Sequence, residues 1–568
     1  MKHLRYYTVD EFSDLKMMLE NSVKKHGDKP AFILKRKAEE NIEYRPVSYR
    51  MFKNDIDCLG SALINLGLKG KKIALISENR YEWALSYLSV MNGTGMIVPL
   101  DKALPEIEIQ NLLTRSDANA VIFSSKYIPV MENISNCIKN IKFFINMDEN
   151  NSTDRFLTIS ELLAKGRELL NSGYREFIDA EIDPLAMSVV LFTSGTTESS
   201  KAVMLSHKNI CSDIIAINKV VDIKKEDVFL SVLPLHHAYE CTCGFLVPIS
   251  KGSAITYSDG IKQIMNNLIE YKPTAMLSVP LVIETMYRNI WEQAKNKGIE
   301  KNLKTALALN RCLKKINIDI SKKLFKALHE KFGGKMRLLI CGASSLDEEV
   351  EKGFNDFGFL VIQGYGMTEC SPVITLNGDF NKKASSLGMP LPGVEVKIEE
   401  EAGDTMGEIL VKGPTVMLGY YKNEEKTKEI LKDGWLCTGD YGFLDKDNYL
   451  HITGRKKSLI VTRGGKKVFP EEIEMLLNNI PYIKESVVWG RDNTDSETSI
   501  IASIVLNREL ILKTHNGNLS DSELKAIIKS NIDQLNVKLP KFKQIREFEI
   551  RESEFEKTTT GKIKRPNH

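Results

Sequence analysis

The chain has 568 residues, more than one hydrophobic core usually serves, so we expect at least two domains. Its 78 lysine and arginine residues nearly balance 75 aspartate and glutamate residues, and a net charge of +3 argues against nucleic acid as the main partner. Nine scattered cysteines without a signal peptide ahead of them indicate a reducing cytoplasm rather than a disulfide framework. No stretch approaches the roughly 20 apolar residues of a membrane span. The sequence therefore predicts a cytoplasmic protein, for which peripheral contact with a membrane surface stays open.

The N-terminal part of the chain alternates between helical and strand-like spacing of its apolar residues. Helices that alternate with short apolar strands are typical of a layered α/β fold. Two helices are predicted over 51–67 and 80–91, and strands over 72–76, 95–100, 120–123, 142–145 and 227–233.

A loop rich in small hydroxyl residues lies between predicted strands over 185–192 and 202–205, so this region reads as a strand–loop–strand hairpin. The backbone N–H groups of such a loop can turn towards one point, and its hydroxyls add donors, which favours a phosphate site. A Walker motif is excluded because no glycine precedes Lys201 directly. A serine- and threonine-rich surface turn stays the alternative. The candidate phosphate-site residues are Thr193, Ser194, Gly195, Thr196, Thr197 and Lys201.

The second half of the chain changes character twice. A helical, lysine-rich segment over 290–332 precedes short strands over 336–340, 360–362, 394–398 and 407–411. From Arg455 onwards, helices over 471–478 and 521–535 accompany strands over 485–489, 500–505 and 548–550. We therefore predict an α/β protein with two domains: residues 1–454, made of layered α/β subdomains plus a β-rich subdomain, and residues 455–568, a small mobile α+β domain.

Further stretches carry side chains that suit a nucleotide. Residues 363–369 predict a turn that exposes Tyr365 for stacking and Glu369 for a hard cation, although a β-turn with a core tyrosine fits equally. Asp440 ends a predicted short strand and could accept ribose hydroxyls, where the alternative is an ordinary turn aspartate. Arg455 offers a guanidinium, or a surface ion pair. Lys562 lies in a basic segment near the C-terminus, and the alternative to a functional role is an ordinary frayed tail.

Taken in this order, these stretches resemble the motif series of the acyl-adenylate-forming superfamily, which includes acyl-CoA synthetases, beetle luciferases and the adenylation domains of peptide synthetases. The resemblance covers nearly the whole chain and is strongest to bacterial long-chain fatty acid–CoA ligases. It implies that ATP and a medium- or long-chain fatty acid give acyl-AMP, and that CoA then takes the acyl group. A ligase that loads an acyl carrier protein is the alternative. The motifs include 193–201, 233–237, 342–344, 364–369, 407–408, 413–420, 438–440, 454–455 and 558–562.

The resemblance also implies roles for individual residues in the first half-reaction. Residues 193–201 would hold the β- and γ-phosphates, Thr368 would touch the α-phosphate, and Glu369 would bind Mg²⁺. Lys562 would reach the bridging and carboxylate oxygens as a compact ammonium on a long stem. The nucleoside would be held by Tyr365 and the segment Gly342, Ala343 and Ser344 around adenine, and by Asp440 and Arg455 at the ribose.

The acyl pocket and the second half-reaction are implied in the same way. His237 matches the family's histidine at the mouth of the acyl pocket, while a core histidine bonded to the backbone is the alternative. Gly366 stands where acetate-specific relatives carry tryptophan, so we expect an open pocket floor and a longer acyl chain. Lys457 matches the hinge about which the C-terminal domain turns, and that rotation would bring Gly464 and Gly465 to the pantetheine channel.

The phosphate loop departs from the family's common form. Glu198, Ser200 and Ala202 stand where glycine, proline and glycine are usual, and Glu556 stands where the tail usually has proline. Replacing a permissive glycine and a rigid proline changes how freely a loop moves, so we expect altered loop mobility around Lys201.

Overall fold

The computed structural model describes residues 4–38, 41–148, 155–193, 200–400, 405–462, 465–492, 498–514, 520–557 and 563–565. The chain divides into two compact units. The larger unit contains Met1–Thr193, Ser200–Glu395 and Val411–Gly434, and the smaller contains Val396–Leu410 and Trp435–His568. The predicted boundary between residues 454 and 455 stays a prediction about where the chain hinges.

The first sheet of the larger unit has nine strands among the described residues. Its six central strands pair in parallel, and their near-continuous apolar character fits burial on both faces. In spatial order the strands are Met389–Pro390, Val373–Leu376, Leu360–Gly366, Leu338–Cys341, Ala275–Ser278, Val228–Ser231, Ala254–Tyr257, Pro30–Ala38 and Asn41–Ser48.

The second sheet of the larger unit has eight strands within the described ranges. Parallel pairing again forms its centre, and the predicted hairpin forms one side through antiparallel pairing. In spatial order the strands are Gly419–Tyr420, Lys201–Ser206, Met187–Thr193, Gly95–Pro99, Lys71–Ile76, Ala120–Phe123, Phe143–Asn146 and Leu157–Thr158.

Local sequence explains where several helices of the larger unit begin. Ser206 forms a capping box with Asn209, so the second hairpin strand runs directly into a helix.

None of the described helices is long and apolar enough to cross a membrane. The α-helices are Leu15–His26, Tyr49–Asn65, Tyr81–Ser89, Glu106–Arg115, Ile128–Ser135, Ile159–Asn171, His207–Val220, Val247–Lys251, Ile264–Tyr271, Pro280–Asn296, Glu300–Lys314, Ser321–Leu324, Lys326–Lys331, Glu348–Phe357 and Glu424–Ile430; π-helical turns span Val90–Thr94 and Glu240–Leu246, 3₁₀ turns span Ser125–Tyr127, Ile261–Gln263 and Thr368–Cys370, and a short strand spans Leu431–Lys432.

The smaller unit is a small α+β structure with its own apolar core, which includes Ile473, Ile504 and Ile528. A three-stranded sheet is formed by Ile483–Asp492, Thr498–Leu506 and Ile545–Arg551. The other strands are Glu395–Glu400, Gly407–Lys412, Trp435–Leu444, Leu450–Arg455, Ile460–Val461 and Lys467–Val468, and the helices are Lys456–Ser458 (3₁₀), Pro470–Asn478, Arg508–Thr514, Asp521–Lys538 and Lys541–Lys543 (3₁₀).

The predicted α/β class is confirmed, and most predicted elements occur within a few residues of their expected bounds. Two local expectations were wrong. Asp440 does not end a strand, because strand Trp435–Leu444 continues through it and pairs with Leu450–Arg455. Tyr365 does not lie in an exposed turn, because strand Leu360–Gly366 extends to its far side and places Tyr365 opposite Thr375. In both cases a cross-strand partner overrides the local turn signal of the glycines.

Candidate active site

The hairpin brings the two ends of the candidate phosphate loop together. Thr193 and Lys201 are directly opposite each other in the antiparallel pairing, and the Thr193 hydroxyl donates to the Lys201 carbonyl at 3.5 Å. The predicted strand–loop–strand hairpin is therefore confirmed. Ser194, Gly195, Thr196 and Thr197 lie outside the described residues, and their role as phosphate ligands stays a prediction.

A second cation holds the end of this loop. The Arg115 guanidinium donates to the Ser200 carbonyl at 2.6 Å and to the Ser200 hydroxyl at 3.0 Å, and it lies 5.5 Å from the centre of the Phe192 ring. Proline, which the family resemblance leads us to expect at position 200, would lack the hydroxyl that receives one of these bonds. The departure at Ser200 thus comes with a guanidinium that ties the loop end to helix Glu106–Arg115.

Lys201, Tyr420 and Glu369 form a chain of polar contacts. The Tyr420 hydroxyl donates to Glu369 Oε1 at 2.8 Å. The Lys201 ammonium lies 3.4 Å from the same hydroxyl and 5.2 Å from the centre of the Tyr420 ring, which is a cation–π distance. The structure therefore joins the predicted phosphate-binding lysine and the predicted metal ligand through a tyrosine.

Backbone pairing explains why these three side chains meet. Gly419 and Tyr420 form a short strand beside the second hairpin strand, with Tyr420 opposite Val203. The Met417 N–H donates to the Glu369 carbonyl at 2.9 Å, which fixes the start of that segment against the 3₁₀ turn Thr368–Cys370. Glu369 itself is 7% exposed, and not on an exposed turn as the sequence indicated. Burial, and then the Glu369 carboxylate, raise the pKa of Tyr420, so its hydroxyl stays a donor.

The segments predicted to hold adenine carry a strained backbone. Ala343 has φ of +73°, a left-handed conformation that costs an L-residue about 1–2 kcal/mol. Its neighbour Gly342 is buried, and a Cβ there would lie 2.8 Å from the Tyr239 ring. Strain that the surroundings hold in place is found at binding sites more often than elsewhere. Ser344 is exposed and Tyr365 half-buried, and their contact with adenine stays a prediction.

Gly366 has a structural reason that the sequence argument did not include. A Cβ at this position would lie 2.0 Å from the Pro372 carbonyl oxygen, at the point where the pairing of Leu360–Gly366 with Val373–Leu376 shifts register. In this chain the close backbone approach leaves no room for a Cβ unless the Pro372 carbonyl shifts. The role of Gly366 in an open acyl-pocket floor stays a prediction.

The predicted acyl-pocket histidine lies on a firmly held loop. Asn79 donates to the Leu233 carbonyl at 2.6 Å and accepts from the Leu235 N–H at 3.1 Å. The His237 N–H donates to the Pro234 carbonyl at 3.1 Å. The rings of His236 and His237 are 4.1 Å apart between centres, and His236 Nε2 lies 3.4 Å from Asp101 Oδ1. The half-buried His237 is thus one of an adjacent pair.

A buried acid lies behind the same loop. Glu240 is fully buried, and its Oε1 accepts from the Ser231 hydroxyl at 2.6 Å, while Oε2 has no hydrogen-bond partner among the described residues. Burial raises the pKa of Glu240 to about 8, against the opposing effect of the Ser231 hydroxyl and nearby backbone N–H groups. Glu240 is therefore protonated at neutral pH.

The smaller unit carries a second group of predicted site residues. Asp440 and Arg455 are directly opposite each other across two paired strands, and Arg455 Nε lies 3.3 Å from Asp440 Oδ1. The Asp440 side chain is 13% exposed and that of Arg455 is 55% exposed. The structure therefore brings together the two residues predicted to hold the ribose, as a carboxylate with a partly exposed cation beside it.

A buried glutamate supports this pair. Glu408 accepts from the Gly439 N–H at 3.0 Å and from the Lys456 ammonium at 2.6 Å. Gly439 has φ of +74°, and the Thr438 hydroxyl accepts from the Asp440 N–H at 3.1 Å. These bonds fix the backbone on which Asp440 sits.

The remaining predicted residues of the smaller unit lie on turns. Lys457 is exposed in the 3₁₀ turn Lys456–Ser458. Gly465 has φ of +73° and donates its N–H to the Thr462 carbonyl at 2.8 Å, so the turn itself requires glycine. Gly464 and Lys562 lie outside the described residues. The hinge, channel and catalytic roles of these residues stay predictions.

Sequence reasoning missed three residues that position the site. Tyr420 and Glu408 lie in motifs that the sequence analysis identified, but it assigned no role to either. The partner of Tyr420 is 51 residues away and that of Glu408 is 31 residues away, and local sequence indicates neither contact. Asn79 follows strand Lys71–Ile76, and polar residues after parallel strands are common at ligand sites. That position was the one available signal.

Comparisons with known proteins agree with this architecture. The family described as AMP-binding enzyme matches residues 19–421, and the family described as AMP-binding enzyme C-terminal domain matches residues 457–568. Long-chain-fatty-acid–CoA ligase FadD15 of Mycobacterium bovis is 27% identical, over 98% of this chain and 96% of its own. Long-chain-fatty-acid–CoA ligase 5 of Rattus norvegicus is 31% identical, over 79% and 70%.

A solved structure shows the same fold at low identity. The crystal structure of the anthranilate CoA ligase AuaEII in complex with anthranoyl-AMP superposes with a TM-score of 0.75 at 20% identity, over 99% of this chain and 96% of that chain. The match of the family's sequence pattern to residues 19–421 covers well over half of the 568 residues. This chain therefore belongs to the AMP-binding enzyme family.

Proposed function

We propose that this protein is an AMP-forming fatty acid–CoA ligase, which activates a medium- or long-chain fatty acid with ATP and transfers the acyl group to CoA. The observation that carries the proposal is the similarity to a protein named long-chain-fatty-acid–CoA ligase along 98% of this chain and 96% of that protein. The name of the rat relative agrees. These names favour CoA over an acyl carrier protein as the acceptor, and they support a long acyl chain independently of the argument from Gly366.

The first half-reaction joins two anions, so charge neutralisation is the main task. The fatty acid carboxylate attacks the α-phosphorus of ATP, the bond to the β-phosphate bridging oxygen breaks, and pyrophosphate leaves. Fixed cations and N–H donors aimed at this charge are the largest available contribution to rate. Lys201 lies at the mouth of the hairpin with its ammonium against the Tyr420 ring, where it can turn towards phosphate oxygens. Lys562 and Thr368 would contact the reacting oxygens, as the family resemblance implies.

The site fits a magnesium ion at Glu369. Carboxylate oxygen is the ligand that Mg²⁺ prefers, in sites that combine one or two carboxylates with substrate phosphates. One oxygen of Glu369 is held by the Tyr420 hydroxyl, which orients the carboxylate. Bound there, Mg²⁺ would neutralise phosphate charge as pyrophosphate departs.

The smaller unit offers the ribose site. An ionised carboxylate such as Asp440 can accept hydrogen bonds from both ribose hydroxyls, and charge-assisted bonds of this kind are the stronger ones. The partly exposed Arg455 lies beside Asp440 and could itself donate to the nucleotide. Glu408 and Thr438 hold the surrounding backbone.

The second half-reaction needs an approach for the thiol. The sulfur of CoA attacks the acyl carbonyl carbon of acyl-AMP, the thiol loses its proton, and the bond to the AMP oxygen breaks. The family resemblance implies that the C-terminal domain turns about Lys457, after which Gly464 and Gly465 would leave room for the pantetheine of CoA. His237, at the end of the loop that Asn79 holds, would border the acyl chain.

Pyrophosphate release tests the proposal directly. We expect release that depends on fatty acid and Mg²⁺, with long chains preferred to acetate, and acyl-CoA formation when CoA is the only thiol present. Glu369→Gln should abolish most of the Mg²⁺-dependent rate, whereas the control Glu330→Gln, at an exposed helix position paired loosely with Lys326 at 3.8 Å, should not. Pyrophosphate release without acyl-CoA formation would point to a carrier-protein acceptor, and no acid-dependent release would refute the proposed function.

A further inference from the structure

We propose that Asp101, His236 and His237 form a binding site for a divalent transition-metal ion such as Zn²⁺, separate from the magnesium site proposed at Glu369. One ligand atom from each of the three side chains lies within 4.8 Å of the others. Within the part of the chain that the structure describes, these residues are the one group of three histidine, cysteine or acidic side chains so arranged.

The donor set selects the kind of ion. Two imidazoles and one carboxylate are ligands that Zn²⁺ commonly takes, whereas Mg²⁺ prefers oxygen ligands alone. Bonds of about 2.1 Å in a tetrahedral arrangement place ligand atoms about 3.4 Å apart. The separation of His236 Nε2 and Asp101 Oδ1 is 3.4 Å, which matches this value, and the His237 ligand atom lies within 4.8 Å of both. Three protein ligands leave a fourth position open for water or a substrate atom.

An unsatisfied buried nitrogen is the second observation. The His236 side chain is 6% exposed, and its Nε2 has no hydrogen-bond partner among the described residues. A buried polar atom without a partner is unfavourable, and an ion at this position would satisfy it. The same nitrogen faces the Asp101 carboxylate, which supplies the negative charge that a cation requires.

The fold holds the three ligands in place from two sheets. Asp101 follows strand Gly95–Pro99, and the histidines follow strand Val228–Ser231, both at carboxyl ends of parallel strands. The Ala103 N–H donates to Asp101 Oδ1 at 2.9 Å, and Asn79 holds the loop before the histidines. Ligands whose backbone is already fixed lose little freedom on binding a metal.

The consequence for activity rests on the proposed function. His237 is the residue expected at the mouth of the acyl pocket, so an ion that takes its imidazole would hinder entry of the fatty acid. Zn²⁺ would therefore act as an inhibitor of acyl-AMP formation that competes with the acid rather than with ATP.

Calorimetric titration with Zn²⁺ in the absence of nucleotide tests the site without any activity measurement. For this titration, the parent and every variant are prepared with Cys137→Ser and Cys312→Ser, because these two exposed thiols would bind zinc themselves. We expect one tight site, with affinity lowered on the order of 100-fold in His236→Gln and in Asp101→Asn. The matched control is His451→Gln, which removes a histidine paired with Asp445 at 3.1 Å that belongs to no group of three such ligands among the described residues, and it should bind like the parent.

Each result decides the question. Equal binding by parent, His236→Gln and Asp101→Asn would place the zinc elsewhere and overturn the proposal, as would absence of a tight site in the parent. Should His236→Gln fail to fold, Asp101→Asn carries the comparison alone. In a second assay at buffered free Zn²⁺, inhibition of acyl-AMP formation should be lost in His236→Gln. If the parent binds zinc tightly, the variants do not, and the parent has no activity with fatty acids, the metal site is supported and the proposed function is refuted.

Discussion

Replacing Glu240 by glutamine should change how the stability of the larger unit depends on pH. The pKa of Glu240 is raised by burial to about 8 from an ordinary value of 4.5. Between these pH values the folded protein holds a proton that the unfolded chain releases, so the contribution of Glu240 to stability is complete below pH 4.5 and is lost as pH rises through 8. The loss is about 1.4 kcal/mol per pH unit, or about 5 kcal/mol across the window.

Thermal unfolding midpoints measured from pH 5 to pH 8 provide the assay. Glutamine does not ionise, so the unfolding midpoint of Glu240→Gln relative to that of the parent should rise steadily with pH, by on the order of 5 °C in total. The offset at pH 5 depends on how well the amide replaces the carboxyl group against Ser231, and only the slope tests the reasoning. The control Glu330→Gln changes an exposed carboxylate and should run parallel to the parent.

The reasoning would be refuted by a constant difference between Glu240→Gln and the parent over this range. That result would mean that Glu240 is ionised in the folded protein at neutral pH. The Ser231 hydroxyl and the backbone N–H groups of the loop that carries His237 would then hold a carboxylate, and the loop would contain a buried charge.

Three further changes test the proposed site. Tyr420→Phe removes a bond to the buried Glu369 carboxylate worth about 1.5–3 kcal/mol, so kcat/KM for MgATP should fall at least tenfold; parent-like kinetics would show that Tyr420 does not orient Glu369. Asp440→Ala should weaken ATP binding by about tenfold or more, measured by calorimetry, and unchanged affinity would leave Asp440 a structural strand residue. Lys562→Ala should slow acyl-AMP formation about a hundredfold yet leave thioester formation from added acyl-AMP intact. Lys564→Ala, whose ammonium lies 3.9 Å from a tail carboxylate, is the control, and equal loss in both half-reactions would indicate misfolding instead.

Local patterns in the sequence determined the class of the fold and the positions of most elements. Apolar runs such as 120–123 coincide with the strand observed at Ala120–Phe123, and the hairpin around the phosphate loop was evident from two apolar segments that flank small residues. These features depend on neighbours within a few residues, because the spacing of apolar side chains along consecutive positions distinguishes a strand from a helix. The order of the motifs likewise indicated the family that the comparisons confirm.

Only the tertiary structure decided which side chains meet. Tyr420 lies 219 residues from Lys201 and 51 from Glu369, and their contact depends on strand Gly419–Tyr420 joining the edge of the hairpin. The proximity of Asp101 to His236 depends on two sheets whose strands end near each other. The Pro372 carbonyl passes close to Gly366, and no local pattern in the sequence indicates this approach. Strand order and close backbone approach are set by packing between distant segments, and a single sequence carries no local signal for either.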